Sequence, residues 1–162
     1  MTQKTILPYE FKNIVIISGG QTGADQGGLE GAVAAGFVTG GFIPKGFKTE
    51  TGTMPELATK FRLIESTSTD YVYRTHLNAK NSSMTIWFGN NDSTGYRATE
   101  KACKSYNKPF YDVTNCNEDD IVKLIKQHKP VVINVAGNRE SKLIGIQEKV
   151  KNIIYNVLNK LK

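Results

Sequence analysis

Cysteine is scarce in this 162-residue chain, proline is thin and scattered, and no long hydrophobic run occurs. Cys103 and Cys116 lack metal-type spacing, so neither a disulfide framework nor a zinc site is expected, and both thiols read as reduced and inert. The five prolines mark no linker and no repeat of solenoid period is present, which leaves one domain over 1–162, with its core at about 14–161. No stretch approaches the ~18 apolar residues of a membrane span, and "MTQKTILPYEFKN" shows no basic segment ahead of a long apolar one. A soluble, cytoplasmic protein with no membrane partner is the expectation.

Acidic residues are also in deficit. The net charge is +6, and from Lys123 onward nine Lys or Arg face only Glu140 and Glu148. Such a region favours anionic partners. Most of these lysines read as solvated helix faces, and Trp87 and Phe88 fall in a predicted core strand, so stacking platforms for nucleic acid are few and nucleic acid is not the expected partner.

What is present is a series of short β-branched runs: "IVIIS" at 14–18, "TGGFI" at 39–43, "MTIWF" at 84–88, "PFYDV" at 109–113 and "VVINV" at 131–135, with a weaker "RLIE" at 62–65. Continuous rather than alternating apolarity marks strands covered on both faces. Between them lie helical periods. Residues 24–36 carry Gly28, Leu29, Ala32 and Val33 on one face, 117–128 begin at a capping Asn117, and 143–161 place Ile146, Val150, Ile153, Ile154, Val157 and Leu158 at three- and four-residue steps. This alternation predicts an α/β fold: a single-domain Rossmann-like, doubly wound, mostly parallel sheet of five to six strands with helices on both faces. Ligands of such sheets sit beyond the carboxyl ends of the strands.

The loops at that edge are polar. "SGGQTGAD", 18–25, follows the first strand; it is either a tight turn capped by Thr22 or Asp25, or a cradle in which Gly19, Gly20 and Gly23 expose amides to a phosphate. It is neither a P-loop nor a G-x-G-x-x-G fingerprint, and Gln21 and Asp25 add hydrogen-bonding groups that a plain turn does not require. "PKGFKTETGTMP", 44–55, offers Lys45 and Lys48 on a loop longer than a simple connection needs. Over 70–82, Tyr71, Arg74, Asn78 and Asn81 form a polar helix stripe in which Arg74 can fork onto a phosphate, while His76 lies off the stripe as a surface or packing residue. In "GNNDSTGYRATEKACK" Thr94 reads as a helix cap and Gly95 as the helix start, a second anion-friendly turn. "AGNRESK", 136–142, sets Gly137, Asn138, Arg139, Glu140 and Ser141 at the same mouth.

Taken in order, "SGGQTGAD", "RTHLNAKNS" and "NVAGNRES", with "PKG" after the first, resemble the molybdenum-carrier family, a circularly permuted branch of the Rossmann-like superfamily that also holds the cytokinin-activating phosphoribohydrolases and the lysine-decarboxylase-like proteins. The resemblance covers about residues 14 to 155. It implies a carrier of the molybdenum cofactor (molybdopterin), a pterin with a phosphate and a dithiolene-held metal, or otherwise of a nucleotide. Molybdoenzymes are the implied recipients, and a homo-oligomer the implied state. By residue, it implies a phosphate-facing loop of Gly19, Gly20, Gln21, Thr22, Gly23 and Asp25, joined by Lys45 and Gly46, Arg74 and Asn78, and Gly137, Arg139, Glu140 and Ser141. The chain departs from the family at Asn81-Ser82-Ser83, where an Asp-Ser-Asp run is common, at Asn138 in place of proline, and at Tyr96 in place of threonine.

No nucleophile and base pair is evident, and neither a catalytic residue nor a metal ligand is assigned. The enzymatic alternative, hydrolysis of a nucleotide's N-glycosidic bond, needs a glutamate four residues after a Gly-Thr turn. Here Glu100 falls five residues after Gly95.

Overall fold

The computed structural model describes residues 8–162. A single 3-10 turn at Phe11–Asn13 leads into β1 (Val15–Ser18), α1 (Ala24–Ala34) and β2 (Thr39–Gly40). Next come β3 (Phe42–Ile43), the hairpin strands β4 (Lys48–Thr49) and β5 (Gly52–Thr53), the short α2 (Leu57–Lys60) and β6 (Ile64–Glu65). α3 (Tyr71–Lys80), β7 (Met84–Phe88), α4 (Thr94–Ser105), β8 (Phe110–Asp112), α5 (Glu118–His128), β9 (Val132–Gly137) and α6 (Ile146–Lys160) follow. None of the described helices is long and apolar enough to cross a membrane.

Five strands form one parallel sheet in the order β2-β1-β9-β7-β8. The last strand lies in the middle, pairing Val135 with Ser18 on one side and with Ile86 on the other. If β9 and α6 were moved to the front of the chain, the order would read 3-2-1-4-5, the doubly wound arrangement. The chain therefore winds outward in two directions from the β9–β7 pair. The crevice above their carboxyl ends is the switch point where such folds bind ligands.

Every residue of β7 is buried, which is why its apolar run does not alternate. Met84, Ile86 and Phe88 join Ile133 and Val135 in a core with residues of α1, α5 and α6. The intervening side chains face α3 and α4, where Asn134 Nδ2 donates to Thr85 Oγ1 at 3.2 Å and Trp87 meets Tyr96 edge-on. Burial pushes the Cys103 thiol up in that layer, so it stays protonated. Helix α1 is small-sided for a physical reason. A Cβ at Gly28 would lie 2.6 Å from Val135 Cγ1, and one at Gly31 would reach 2.5 Å from the Lys151 carbonyl oxygen of α6.

Several boundaries match the expected ones. Asn117 caps α5 through a capping box: its Oδ1 accepts from the Asp120 amide at 2.8 Å, and the Asp120 carboxylate accepts from the Asn117 amide at 3.3 Å. The run 39–43, expected as one strand, is broken. Gly41 takes φ +124 in close contact with the Ser18 carbonyl, where only glycine fits, and here β2 stays in the main sheet while β3 turns away to pair with β6. The weak sixth strand thus forms a separate two-stranded ladder and the main sheet has five strands.

Gly41→Ala must therefore destabilise by more than about 2 kcal/mol, combining a left-handed backbone with a backbone overlap that cannot relax. Gly36→Ala, at φ +82 but with open space around it, should lose only about 1 kcal/mol. Urea denaturation of the two variants measures the difference.

Candidate functional site

The switch point opens into a cavity of about 540 Å³. Its walls come from the loop after β1, the first turns of α3 and α4, the end of β7 and the loop after β9. Arg74, Arg139 and Lys142 bring positive charge, Asp25 and Asp70 negative charge, and Tyr71 and Trp87 flat apolar surface.

The floor is a buried ion pair. Asp25, on the first turn of α1, has a side chain 7% exposed and lies 3.8 Å from Nη1 of Arg74, itself 13% exposed. That distance is too long for a hydrogen bond, so the guanidinium keeps its donors. Burial pushes the Asp25 carboxyl up against the pull of Arg74, the Gln21 amide, Ser18 and Arg139. Burial likewise pushes the Arg74 guanidinium down while Asp25 draws it back. Gly19 makes this possible, since a Cβ there would overlap the guanidinium.

Above the floor, Glu50 fastens three loops together. It sits at the turn of the β4–β5 hairpin and accepts from Thr22 Oγ1, from Ser141 Oγ at 2.5 Å and from the Ser141 amide at 3.3 Å. Burial pushes its carboxyl up, but the bonds from Ser141 and Thr22, with Arg139 nearby, outweigh that and hold it below the usual carboxylate range. The hairpin also lays the Lys48 ammonium 4.7 Å from the Tyr71 ring centroid, while the Arg139 guanidinium lies 4.1 Å from it. No sequence pattern marked Glu50, because its partners are 28 and 91 residues away.

Of the residues singled out in the sequence, Gln21, Asp25, Tyr71, Arg74, Thr94, Gly95, Gly137, Asn138 and Arg139 line the cavity. The others hold the loops in place or lie apart. The Gly23 and Ala24 amides, at the start of α1, are donated to Gln147 Oε1 at 2.8 Å and to the Asn138 carbonyl at 3.0 Å, so this helix end is filled by protein groups. Thr22 is tied to Glu50, and Gly20, at φ +78, shapes the turn. Asn78 pairs with the Phe42 backbone through both amide atoms, at 2.8 and 3.0 Å, which docks α3 on β3. Glu140 accepts from the Gly145 and Gln147 amides and so caps α6, and Ser141 is held by Glu50. Lys45 and Gly46 turn away from the cavity, toward Ser68 and Glu65, and Lys48 takes the position near it.

One expectation is corrected. The cap of α4 is Ser93, whose Oγ accepts from the Tyr96 amide at 3.1 Å, and Thr94 is the first helical residue. Trp87 is core, as expected, yet it also lines the cavity. The Asn81-Ser82-Ser83 departure lies ahead of β7, where Ser83 Oγ accepts from the Val131 and Val132 amides, at the sheet edge opposite the cavity. His76, read as a surface or packing residue, packs edge-on against Tyr106.

Among the described residues, four buried side-chain atoms lack a hydrogen-bond partner. Three of them, Gln21 Oε1, Arg74 Nε and Trp87 Nε1, belong to residues that line this cavity. Buried polar atoms are nearly always paired, with protein groups or ordered water, so the concentration of three unpaired ones here sets this cavity apart among the described residues.

A model of the circularly permutated YpsA SLOG family matches residues 16–158. Among solved structures, the chain is similar to a "putative molybdenum carrier protein" from Syntrophus aciditrophicus SB, at 32% identity and a TM-score of 0.77, over 91% of this chain and 96% of that one. No curated protein matches.

Because the folded carboxyl of Glu50 titrates below its usual value of 4.5, its bonds contribute stability above that pH and lose it as pH falls through the lower folded value. Glu50→Gln should therefore flatten the acid limb of the stability profile below about pH 4.5 and leave the neutral fold intact. Denaturant midpoints of both proteins across the acid range measure this.

Proposed function

The chain belongs to the circularly permutated YpsA SLOG family, and we propose that it binds a small phosphate-bearing heterocycle, foremost the molybdenum cofactor (molybdopterin), in the cavity above β9 and β7. One observation carries this reading: unpartnered buried donors and an acceptor gather around a cavity of about 540 Å³, within the size range of small-molecule sites. The name of the solved relative supports the molybdenum part.

The phosphate end is best served by α4 rather than α1. Among the described residues nothing accepts from the Thr94 and Gly95 amides, both at the cavity wall, whereas the Gly23 and Ala24 amides of α1 are spent on the protein. A helix start with free amides favours an anion, and Arg74, Arg139 and Lys142 add charge around it. When bound, the cofactor would supply its dithiolene-held metal, and the residues here would hold its pterin and phosphate. In this reading the recipients are molybdoenzymes.

Hydrolysis of a nucleotide is less well served. The lining carboxylates are both engaged, Asp25 with Arg74 and Asp70 as cap of α3, where it accepts from the Val72 amide at 2.9 Å. Glu100 is not among the lining residues.

Protein purified from cofactor-producing cells should carry molybdenum and a pterin that becomes fluorescent on oxidation. Arg139→Ala, which spares the buried ion pair, should weaken retention by about tenfold or more, the worth of one charge-assisted hydrogen bond. Absence of both compounds, with no binding of added cofactor, would end the proposal.

A further inference from the structure

We infer that Gln21 and Trp87 read the ring of the bound ligand, selecting a nitrogen heterocycle whose edge carries both an N–H donor and a hydrogen-bond acceptor, such as the 2-amino-4-oxo-pyrimidine edge shared by pterins and guanine. The inference rests on the phosphate-ligand reading of the same cavity. Its basis is the pair of unmet groups there, an acceptor on Gln21 and a donor on Trp87, each on a residue only 2% exposed.

The orientation of Gln21 is decided by chemistry. Its Nε2 donates to the Lys48 carbonyl at 2.8 Å, and a carbonyl can only accept, so the amide cannot flip and Oε1 is the atom left over. That oxygen requires a donor. The Trp87 indole is the reverse case, since its nitrogen can only donate and requires an acceptor. The ring of Trp87 is braced by Tyr96, edge-on at 5.4 Å between centroids, and lines the cavity together with Ala98 and Ala136. The start of α4 lies against the same ring, with an ideal Cβ on Gly95 3.5 Å from Trp87 Cη2, and Arg74, Arg139 and Lys142 line the same cavity. A ligand that carries both an anionic group and a flat nitrogen heterocycle meets both sets of groups, whereas a sugar phosphate meets only one.

A site that leaves buried polar atoms unpaired discriminates strongly against ligands that cannot pair them. Trp87 is the only tryptophan of the chain, so the indole N–H gives a single signal in a nitrogen–proton correlation spectrum. The probes are guanosine 5′-monophosphate, which carries the 2-amino-4-oxo edge, and ribose 5-phosphate, which has no ring nitrogen. We expect the first to move the indole signal to lower field and to bind about tenfold to a hundredfold more tightly than the second, which leaves that signal in place. Gln21→Met should weaken the nucleotide by about tenfold or more and leave ribose 5-phosphate unchanged. Equal affinity of the two probes with an unmoved indole signal overturns the ring-reading role while the phosphate site stands. Failure of both probes to bind the folded protein overturns the phosphate reading and this inference together.

Discussion

A buried carboxylate governs the architecture of the cavity. Asp25 sits on the first turn of α1, out of solvent, and an isolated charge there would be prohibitively costly. Arg74 must reach it, and it can do so only from α3. That helix is held by Asn78 on the backbone of Phe42, and β3 is free to be met because the strand breaks at Gly41. The guanidinium passes over Gly19, where any side chain would block it. Strand break, helix docking and glycine loop are thus parts of one solution to the burial of a single charge.

The glycine-rich loop has a different task from the one its composition implies. Its amides at the start of α1 are taken by Gln147 and Asn138, and its threonine by Glu50, so the loop mainly joins the first strand to the segment after β9. The two strands are neighbours in the sheet, and their loops must meet above it. What the cavity still offers is the Gln21 oxygen of this loop, the start of α4 and the side chains of Arg74 and Arg139. Glu50 closes the arrangement by drawing the β4–β5 hairpin onto both loops, while Lys48 and Arg139 flank Tyr71.

Elements whose cause is local were legible in the sequence. The five strands of the sheet, the Asn117 cap with Asp120 and the small face of α1 follow from β-branched runs, a capping box and glycine spacing, each contained within a few residues. The features that the sequence did not show have distant causes. Gly41 meets Ser18 at the strand break, Asn78 is spent on Phe42, and Glu140 turns to the start of α6. Ser93 rather than Thr94 caps α4 because backbone direction decided between adjacent hydroxyls.

By itself the sequence determined the class of fold, the edge of the sheet at which chemistry gathers and most of the polar residues there, since apolar period and strand-end loops are written in neighbouring residues. Only the tertiary structure decided which of those polar groups remain free. Gln21, Asn78 and Glu140 look alike as candidates, yet Asn78 and Glu140 are spent on backbone, whereas Gln21 keeps an unpaired oxygen. The reason is physical: whether a buried polar atom is satisfied depends on partners that the fold brings from far along the chain, and no local pattern encodes them.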